Sequence, residues 1–175
     1  MDIEIVLGKE SDVDELELLY NDLNDALAAG INYPGWKKGV YPTRSDAEKG
    51  IAEGELYVAK YDGRIVGSVI LSHEPESAYA GVSWGNEDSY DKIFVIRTFV
   101  AHPDYFGHGI GKKLLDFADQ RAALENIESI RLDVYEKNMP AVKLYEKCGY
   151  KYVDTVDLGL GNYGLDWFKL YEKML

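Results

Sequence analysis

Three glycines at alternate positions form the pattern in this chain that points most directly to chemistry. They lie in the segment "VAHPDYFGHGIGKKLLDF", residues 100–117, just before a run of apolar residues at helical spacing. An interior glycine costs a helix about 1 kcal/mol relative to alanine, so Gly107, Gly109 and Gly111 make this helix start less stable. Glycine also lacks the Cβ atom that would keep an anion away from successive backbone N–H groups. The segment therefore predicts a loop that binds a phosphate group at the N-terminus of a helix.

Two lysines follow the glycines. Lys112 and Lys113 fall in the first turn of a helix predicted from about Gly109, where positive charge opposes the helix dipole. A bound anion would explain both charges. In the alternative interpretation the lysines are solvated surface residues and the glycines form a tight turn.

The spacing of the glycines separates the possible phosphate ligands. A Walker A loop is excluded, because Lys112 comes one residue too early after the glycines and no Ser or Thr follows it. One observation favours a dinucleotide-binding turn: an acidic residue, Asp133, lies at the expected distance downstream of the glycines. Its third glycine would nevertheless stand one residue later, and "AHPDYF" separates the strand from the first glycine. The dinucleotide interpretation is therefore disfavoured.

The elements that position this loop can be read from hydrophobic periodicity and turn residues. The segments "ELYVAKY" and "RIVGSVILSH" are joined at Asp62-Gly63, a strong hairpin signal. The strand "KIFVIRTFVA" leads into the glycine segment and its helix, and "SIRLDVYE" follows as another strand. The whole pattern gives the order β-α-α-β-β-β-α-β-α-β-β. An antiparallel first half followed by a βαβ unit predicts a mixed sheet.

Composition limits the class of protein. With 175 residues, of which 46% are hydrophobic, we expect one domain covering residues 1–175. The net charge of −12 argues against nucleic-acid and membrane partners. Cys148 is the only cysteine, so no internal disulfide can form, and the first residues lack the features of a signal peptide; we expect a cytoplasmic protein. The three histidines, His73, His102 and His108, do not form a metal-ligand spacing with Cys148, so no metal site is expected.

Two blocks of the chain resemble the signature blocks of the GCN5-related N-acetyltransferase (GNAT) family. They are "RTFVAHPDYFGHGIGKKLLDFADQRA" and "IRLDVYEKNMPAVKLYEKCGYKYV". The family loop reads Gln/Arg-x-x-Gly-x-Gly/Ala after a strand ending in a valine and a proline, and residues 106–111 occupy it here. Residues 138–149 carry the Asn, Leu-Tyr-Glu and Gly of the second block. The resemblance implies an α/β (α+β) fold whose mixed, mostly antiparallel sheet has a V-shaped splay and is flanked by about four helices.

The resemblance also implies acetyl-coenzyme A (acetyl-CoA) as co-substrate. Its pyrophosphate would bind the backbone amides of the loop, and its pantetheine arm would pair like an extra strand with the last strand before the loop. Phe106 departs from the family pattern, which has Arg or Gln there, so we expect weaker affinity. The cofactor-binding residues implied are Phe99, Val100, Phe106, Gly107, His108, Gly109, Ile110, Gly111, Lys112 and Asn138.

Tyr145 is the candidate catalytic residue. Ala141, Leu144, Tyr145 and Cys148 fall on one face of a helix, so spacing alone favours a core aromatic for Tyr145. By resemblance, Tyr145 protonates the departing coenzyme A thiolate, and a phenol is a suitable donor to a thiolate. Asn138 is most simply the N-cap of this helix, to which the family adds a contact to coenzyme A.

Loop aromatics are the candidates for the acceptor site. Trp36, Tyr41, Trp84 and Tyr90 fall in loops that flank the acceptor pocket in this family, and aromatic rings bind amines through cation–π contacts. Each ring could instead cover an edge of the core. Arg97 lies in an apolar strand, either facing outward or contributing to the acceptor site.

The expected function is acetyl transfer from acetyl-CoA to a primary amine by direct attack on the thioester. The amine could belong to a small molecule or a peptide, and the protein would be a monomer or a homodimer. Four candidates remain for the base that removes the proton of the amine, namely Glu74, Asp91, Glu136 and a water relay. The alternative is a domain of the same fold that binds an acyl-CoA without catalysis, as a sensor or partner domain.

Overall fold

The computed structural model describes all residues from Met1 to Leu175. None of its helices has the length and apolar character needed to cross a membrane. It contains seven strands, namely β1 (Glu4–Leu7), β2 (Leu56–Tyr61), β3 (Arg64–Ser72), β4 (Ile93–Ala101), β5 (Ser129–Tyr135), β6 (Lys151–Val156) and β7 (Phe168–Met174). Its four α-helices are α1 (Val13–Ala29), α2 (Arg44–Ala52), α3 (Ile110–Leu124) and α4 (Met139–Lys147).

The predicted order of strands and helices is confirmed along the whole chain. The hairpin between β2 and β3 turns at Asp62 and Gly63, whose φ angles are +50° and +74°. Two successive positive φ angles are what a two-residue turn with the twist of its strands requires. β7 begins at Phe168, later than the sequence pattern suggested, because a short 3₁₀ turn at Gly161–Tyr163 and an irregular stretch precede it.

The strands form a mixed sheet with the order β1-β2-β3-β4-β5-β7-β6, so the predicted fold class is confirmed. The β1–β2, β2–β3, β5–β7 and β6–β7 pairs are antiparallel. β4 and β5 are parallel and are joined by α3, as a βαβ crossover requires. The β4–β5 ladder runs from Ile93↔Ser129 to Val95↔Arg131, whereas β4 itself continues to Ala101.

The chain divides into two compact units. The first comprises Met1–Asn32, Trp36–Leu71 and Arg97–Phe117. In its core, apolar residues of α1 pack with those of α2, β2, β3 and β4: Leu16, Leu19, Tyr20, Leu23, Leu27, Ala47, Leu56, Val58, Ile65, Ile70 and Val100. Within this unit the start of α3 lies very close to β3. A Cβ atom on Gly67 would lie only 2.7 Å from Cγ2 of Ile110, so a side chain there would displace α3.

The second unit comprises Tyr33–Gly35, Ser72–Ile96 and Ala118–Leu175. Tyr79, Val95 and Leu170 form a buried cluster in it.

The buried face of α4 differs from the predicted one. Val142 and Tyr145 are buried, whereas Ala141, Leu144 and Cys148 are partly exposed. The helix is thus rotated toward Val142, a residue that the pattern of four did not include.

Candidate functional site

Two glycines of the loop have left-handed backbone conformations. Gly107 and Gly109 have φ angles of +80° and +78°, which residues with a side chain rarely adopt. A Cβ atom on either glycine would meet no other atom within 4 Å. The two glycines are therefore required for backbone conformation and leave the surface of the loop open to an incoming group.

The first backbone amides of α3 come directly after Gly109. The first helical hydrogen bond of α3 is donated by the amide of Lys113 to the carbonyl of Gly109, at 3.1 Å. The amides of Ile110, Gly111 and Lys112 precede that bond, at the positive end of the helix dipole. This arrangement suits a phosphate group, and neither glycine has a side chain to obstruct it.

The two lysines of the first turn differ in their surroundings. Lys112 Nζ lies 2.8 Å from Asp116 Oδ2, in an exposed ion pair one turn along the helix. Lys113 is exposed. Part of the unfavourable charge at the helix start is therefore balanced within α3 itself, so the glycines and the amides indicate an anion more strongly than the lysines do.

A strained residue lies in β4 just before the residues assigned to the cofactor arm. Thr98 has a φ angle of +47°, an outlier for a β-branched residue, and its side chain is buried. Its Oγ1 lies 2.8 Å from the hydroxyl of Tyr41. Phe99 and Val100 follow directly in the strand. Strain of this kind persists only where the surrounding structure fixes it, and it is concentrated at functional sites. Sequence reasoning did not single out Thr98, because positive φ at threonine has no sequence signature.

Two of the four candidate acceptor aromatics are in contact in the first unit. The rings of Trp36 and Tyr41 are edge-to-face, with centroids 5.3 Å apart. The Asn24 side chain of α1 donates to the Tyr41 carbonyl at 3.1 Å. The segment after α1 is therefore held in place by both its rings and its backbone.

The other two, Trp84 and Tyr90, line an open cavity of about 360 Å³ in the second unit. Tyr79 also lines it, and its hydroxyl donates to Asp133 Oδ2 at 2.6 Å. The rim of the cavity is acidic and exposed, with Glu87 and Asp88 among its residues.

The floor of this cavity contains a buried charge that sequence reasoning missed. The Arg131 guanidinium lies 4.2 Å from the ring centroid of Trp84 and 5.1 Å from that of Tyr90. Its Nε donates to Glu172 Oε2 at 2.9 Å, and both side chains are at most 4% exposed. Arg131 also donates to the Tyr90 hydroxyl at 2.8 Å and to the Asn86 carbonyl. In the strand "SIRLDVYE" apolar and polar residues alternate, so Arg131 has the pattern of an ordinary polar-face residue and no local signal marks it as buried.

Glu172 connects the segment of residues 84–86 to the sheet as well. Its Oε1 accepts from the Gly85 amide at 2.7 Å, and its Oε2 accepts from the Ser129 hydroxyl at 3.2 Å. The wall of the cavity is thus held by strands β5 and β7, which gives the open site a rigid base.

Tyr145, the candidate acid, is buried at 5% exposure on α4. Its ring lies edge-to-face with that of Tyr150, at 5.9 Å between centroids. The Tyr150 hydroxyl is buried without a hydrogen-bond partner, and burial followed by the charge of Asp119 holds the pKa of Tyr150 well above its ordinary value. Asn138 is the N-cap of α4, where its Oδ1 accepts from the Ala141 amide at 3.4 Å, so its capping role is confirmed.

The three acids considered as a base differ in their environments. Glu74 and Asp91 are exposed, and Glu136 is partly buried. A hydrogen bond from the Ser89 hydroxyl, opposed by a smaller effect of burial, lowers the pKa of Asp91. A carboxylate with a lowered pKa accepts protons less readily, which disfavours Asp91. Arg97 is partly buried in β4, and its assignment to the acceptor site stays a prediction. No group of three or more potential ligands is placed to hold a metal ion.

Solved structures with the same fold are similar to this chain over nearly its whole length. A GNAT-family acetyltransferase from Streptococcus agalactiae superimposes with a TM-score of 0.82 at 21% identity, covering 99% of this chain and 95% of that one. The PaiA N-acetyltransferase from Thermoplasma acidophilum, solved in complex with coenzyme A, gives a TM-score of 0.70 at 20% identity, with 100% of both chains covered.

Among curated proteins, an S-(2-succino)cysteine N-acetyltransferase from Bacillus subtilis is 28% identical over 116 residues, covering 65% of each chain. The chain spans between 25% and 65% of the length of the curated relatives first matched. The model of the acetyltransferase (GNAT) family matches residues 17–150, which include the glycine loop, α4 and most of the sheet. The chain therefore belongs to the GNAT family of acetyltransferases.

Proposed function

We propose that this chain is an acetyl-CoA-dependent N-acetyltransferase of the cytoplasm, formed by residues 1–175 as one domain, and that it acts on a primary amine. The observation that carries the proposal is the glycine loop at the start of α3. There, two glycines with positive φ expose a run of amides at the positive end of a helix. Family membership and the coenzyme A complex of a structural neighbour support the choice of ligand.

The residues assigned to the cofactor have complementary roles. The amides of Gly107 and of residues 109–112 would bind the pyrophosphate. The amides of Phe106 and His108 already donate to the carbonyls of Pro103 and Tyr105, so these two residues would contact the cofactor through other atoms. The backbone at Phe99 and Val100, which extends β4 beyond its ladder with β5, would pair with the pantetheine arm. Asn138 already caps α4 and would contribute at most a second contact.

The proposed reaction is direct acyl transfer. The neutral amine nitrogen attacks the thioester carbonyl carbon, a C–N bond forms and the C–S bond breaks. The Tyr145 hydroxyl donates its proton to the departing thiolate and is reprotonated from solvent. The proton lost by the amine leaves to a base or to water. A positioned acid of this kind contributes about 10²- to 10⁴-fold to the rate.

The cavity around Trp84 and Tyr90 is the proposed acceptor site, and its chemistry favours a cation. Three aromatic rings, Tyr79, Trp84 and Tyr90, line it, and Glu87 and Asp88 place two acids on its rim. Arg131 adds little net positive charge, because Glu172 pairs with it. An ammonium group in equilibrium with its nucleophilic amine is a suitable ligand for such a site.

A panel of amines tests the function. Purified protein is incubated with acetyl-CoA and monoamines, diamines, amino acids or peptides, and thiol release is measured. Turnover with at least one amine, together with the acetylated product by mass spectrometry, supports the transferase. Binding of coenzyme A without turnover across the panel favours the acyl-CoA sensor, and absence of coenzyme A binding contradicts both.

The acceptor site has a separate test with a matched control. Glu87→Gln combined with Asp88→Asn removes two rim charges and should raise the KM for a cationic amine about three- to tenfold, with a smaller effect at high salt. Asp2→Asn combined with Glu4→Gln removes two exposed charges near β1 and should leave that KM unchanged. Equal effects of the two pairs would indicate a nonspecific effect of net charge and would contradict this site.

A further inference from the structure

A buried histidine stands between β4 and the glycine loop. His102 follows the last residue of β4, and its backbone amide donates to the Val66 carbonyl of β3 at 2.8 Å. The residue is only 4% exposed. The 3₁₀ turn Pro103–Tyr105 comes next, and the loop of residues 106–111 follows that turn directly.

One ring nitrogen of His102 caps this turn. Nδ1 accepts a hydrogen bond from the Asp104 amide at 3.1 Å. A backbone amide can only donate, so Nδ1 carries no proton. In the neutral ring the proton is therefore on Nε2, which lies 3.2 Å from Asp22 Oδ2 on α1 and donates to it.

Charged groups face the ring from each element packed against it. Asp22 comes from α1 and Arg64 from β3. The Arg64 Nη2 atom lies 3.1 Å from His102 Nε2, but both atoms are donors in this tautomer, so Arg64 makes no hydrogen bond to the ring. Asp104 comes from the turn, where its Oδ2 lies 3.7 Å from His102 Nδ1 and 3.4 Å from Arg64 Nη2. Protonation of Nδ1 would direct an N–H group at the Asp104 N–H group and break the cap, whatever the balance of these charges.

Aromatic contacts extend from His102 into the loop. The Tyr105 ring lies edge-to-face with the His102 ring, at 6.2 Å between centroids, and with the His108 ring, at 6.0 Å. His108 stands between the two glycines that have positive φ. A change in the turn at Pro103–Tyr105 would therefore move the amides assigned to the cofactor.

We propose that neutral His102 is a positioning residue for the phosphate loop: its Nδ1 fixes the turn that directs the loop amides at coenzyme A. The inference rests on the proposed function, because it requires coenzyme A to bind at this loop. It makes affinity for coenzyme A depend on the acceptor at Nδ1 and on the protonation state of the ring. A residue that only filled the core would show neither dependence.

Two amide variants separate the two ring nitrogens. In His102→Asn, the side-chain Oδ1 takes the place of Nδ1 and can accept from the Asp104 amide, as asparagine does at N-caps. His102→Gln replaces the Nε2 side of the ring and lacks that acceptor. We expect His102→Asn to keep the Kd for coenzyme A within about twofold, and His102→Gln to raise it about five- to tenfold, the effect of one lost cap. The kcat at saturating acetyl-CoA should change little in either variant.

The pH dependence provides a test that does not require the glutamine variant to fold. The Kd for coenzyme A is measured by calorimetry at decreasing pH, as far as both proteins stay folded. We expect affinity to fall on acidification more steeply in the wild type than in His102→Asn, whose side chain does not titrate. Titration of the ligand phosphates affects both proteins equally and cancels in the comparison.

The outcomes are distinct. Parallel pH profiles for the wild type and His102→Asn, or equal affinity in His102→Gln and His102→Asn, would overturn the positioning role while leaving the proposed function intact. A wild type that binds no coenzyme A would overturn the proposed function and this inference together.

Discussion

The Arg131 guanidinium lies 4.2 Å from the ring centroid of Trp84 while it pairs with the buried carboxylate of Glu172. The cation that the Trp84 ring holds in this structure is thus one of the protein's own. This contact fixes the orientation of Trp84 and leaves cavity-facing atoms of Trp84, Tyr79 and Tyr90 to line the proposed acceptor site. Arg131 and Glu172 therefore form the base of the site, and the acids on its rim provide the charge that attracts an amine.

This relationship predicts that the pair is important for stability. Arg131→Met leaves the Glu172 carboxylate buried without a charged partner and should lower the free energy of unfolding by about 3–5 kcal/mol. Arg121→Met is the matched control, because Arg121 pairs with Glu125 on the exposed surface of α3, where about 1 kcal/mol or less is expected. Urea denaturation of both variants measures the difference. Similar losses of unfolding free energy in the two variants would show that the buried pair stabilises the fold no more than the exposed pair does.

A second prediction distinguishes the catalytic role of Tyr145 from a structural one. Tyr145→Phe removes one hydroxyl and should reduce turnover about 10²- to 10⁴-fold while the affinity for acetyl-CoA is nearly unchanged. Tyr150→Phe is the control, because its ring touches that of Tyr145 and its hydroxyl is buried without a partner. Its removal should leave turnover unchanged and the free energy of unfolding equal or higher. Thiol release and a melting curve are recorded for each variant. An unchanged rate of thiol release in Tyr145→Phe would rule out Tyr145 as the catalytic acid.

Local signals were sufficient for the fold and for the glycine loop. Alternation, the Asp62-Gly63 turn and the helix-spaced run after the loop are properties of neighbouring residues, and the elements they predict are present. The predicted buried face of α4 was wrong except for Tyr145, because a short helix with apolar residues on two sides can bury either side, and here Val142 is buried.

The residues that sequence reasoning missed depend on distant partners. Arg131 is separated by 41 positions from Glu172, and His102 by 80 from Asp22. The positive φ of Thr98 likewise depends on its surroundings and on Tyr41, which comes from another part of the chain. No pattern of adjacent residues encodes such pairings, so they became visible only in the folded chain.

A third prediction concerns the departure from the family loop at Phe106. The side chain is 54% exposed, so Phe106→Arg should be tolerated by the fold. If the amides hold the phosphates, one added charge-assisted contact should tighten coenzyme A binding by about 1 kcal/mol, roughly fivefold. Phe106→Leu controls for loss of the ring and should leave the Kd unchanged. Calorimetry measures all three proteins, and the same Kd in Phe106→Arg as in the wild type would place the phosphates away from residue 106.

A fourth prediction concerns the space between Gly67 and Ile110. A Cβ atom on Gly67 would lie 2.7 Å from Ile110 Cγ2 and 3.0 Å from the Val100 carbonyl oxygen, so Gly67→Ala forces α3 away from the sheet. We expect a loss of about 1–3 kcal/mol in the free energy of unfolding, as for other overpacked sites. We also expect a higher KM for acetyl-CoA, because Ile110 begins the helix that carries the loop amides. Gly67→Ala combined with Ile110→Ala removes the Cγ2 atom that the new Cβ atom would meet, and should recover part of the loss in KM relative to Gly67→Ala alone. An unchanged KM in Gly67→Ala would show that the position of α3 does not affect cofactor binding.

The last prediction tests the glycine loop itself. Gly109→Glu places a carboxylate beside the loop amides and should abolish the rise in Tm that coenzyme A produces in the wild type by mass action. The matched control is Gly159→Glu, because Gly159 has a φ of +81° against +78° for Gly109, and a Cβ atom at either position meets nothing within 4 Å. Both variants should therefore lose a similar amount of stability from left-handed strain, about 1–2 kcal/mol. Only Gly109→Glu should lose the response to the ligand, measured by thermal unfolding with and without coenzyme A. A rise in Tm that persists in Gly109→Glu would mean that coenzyme A does not bind at this loop, and the amides at the start of α3 would then require another explanation.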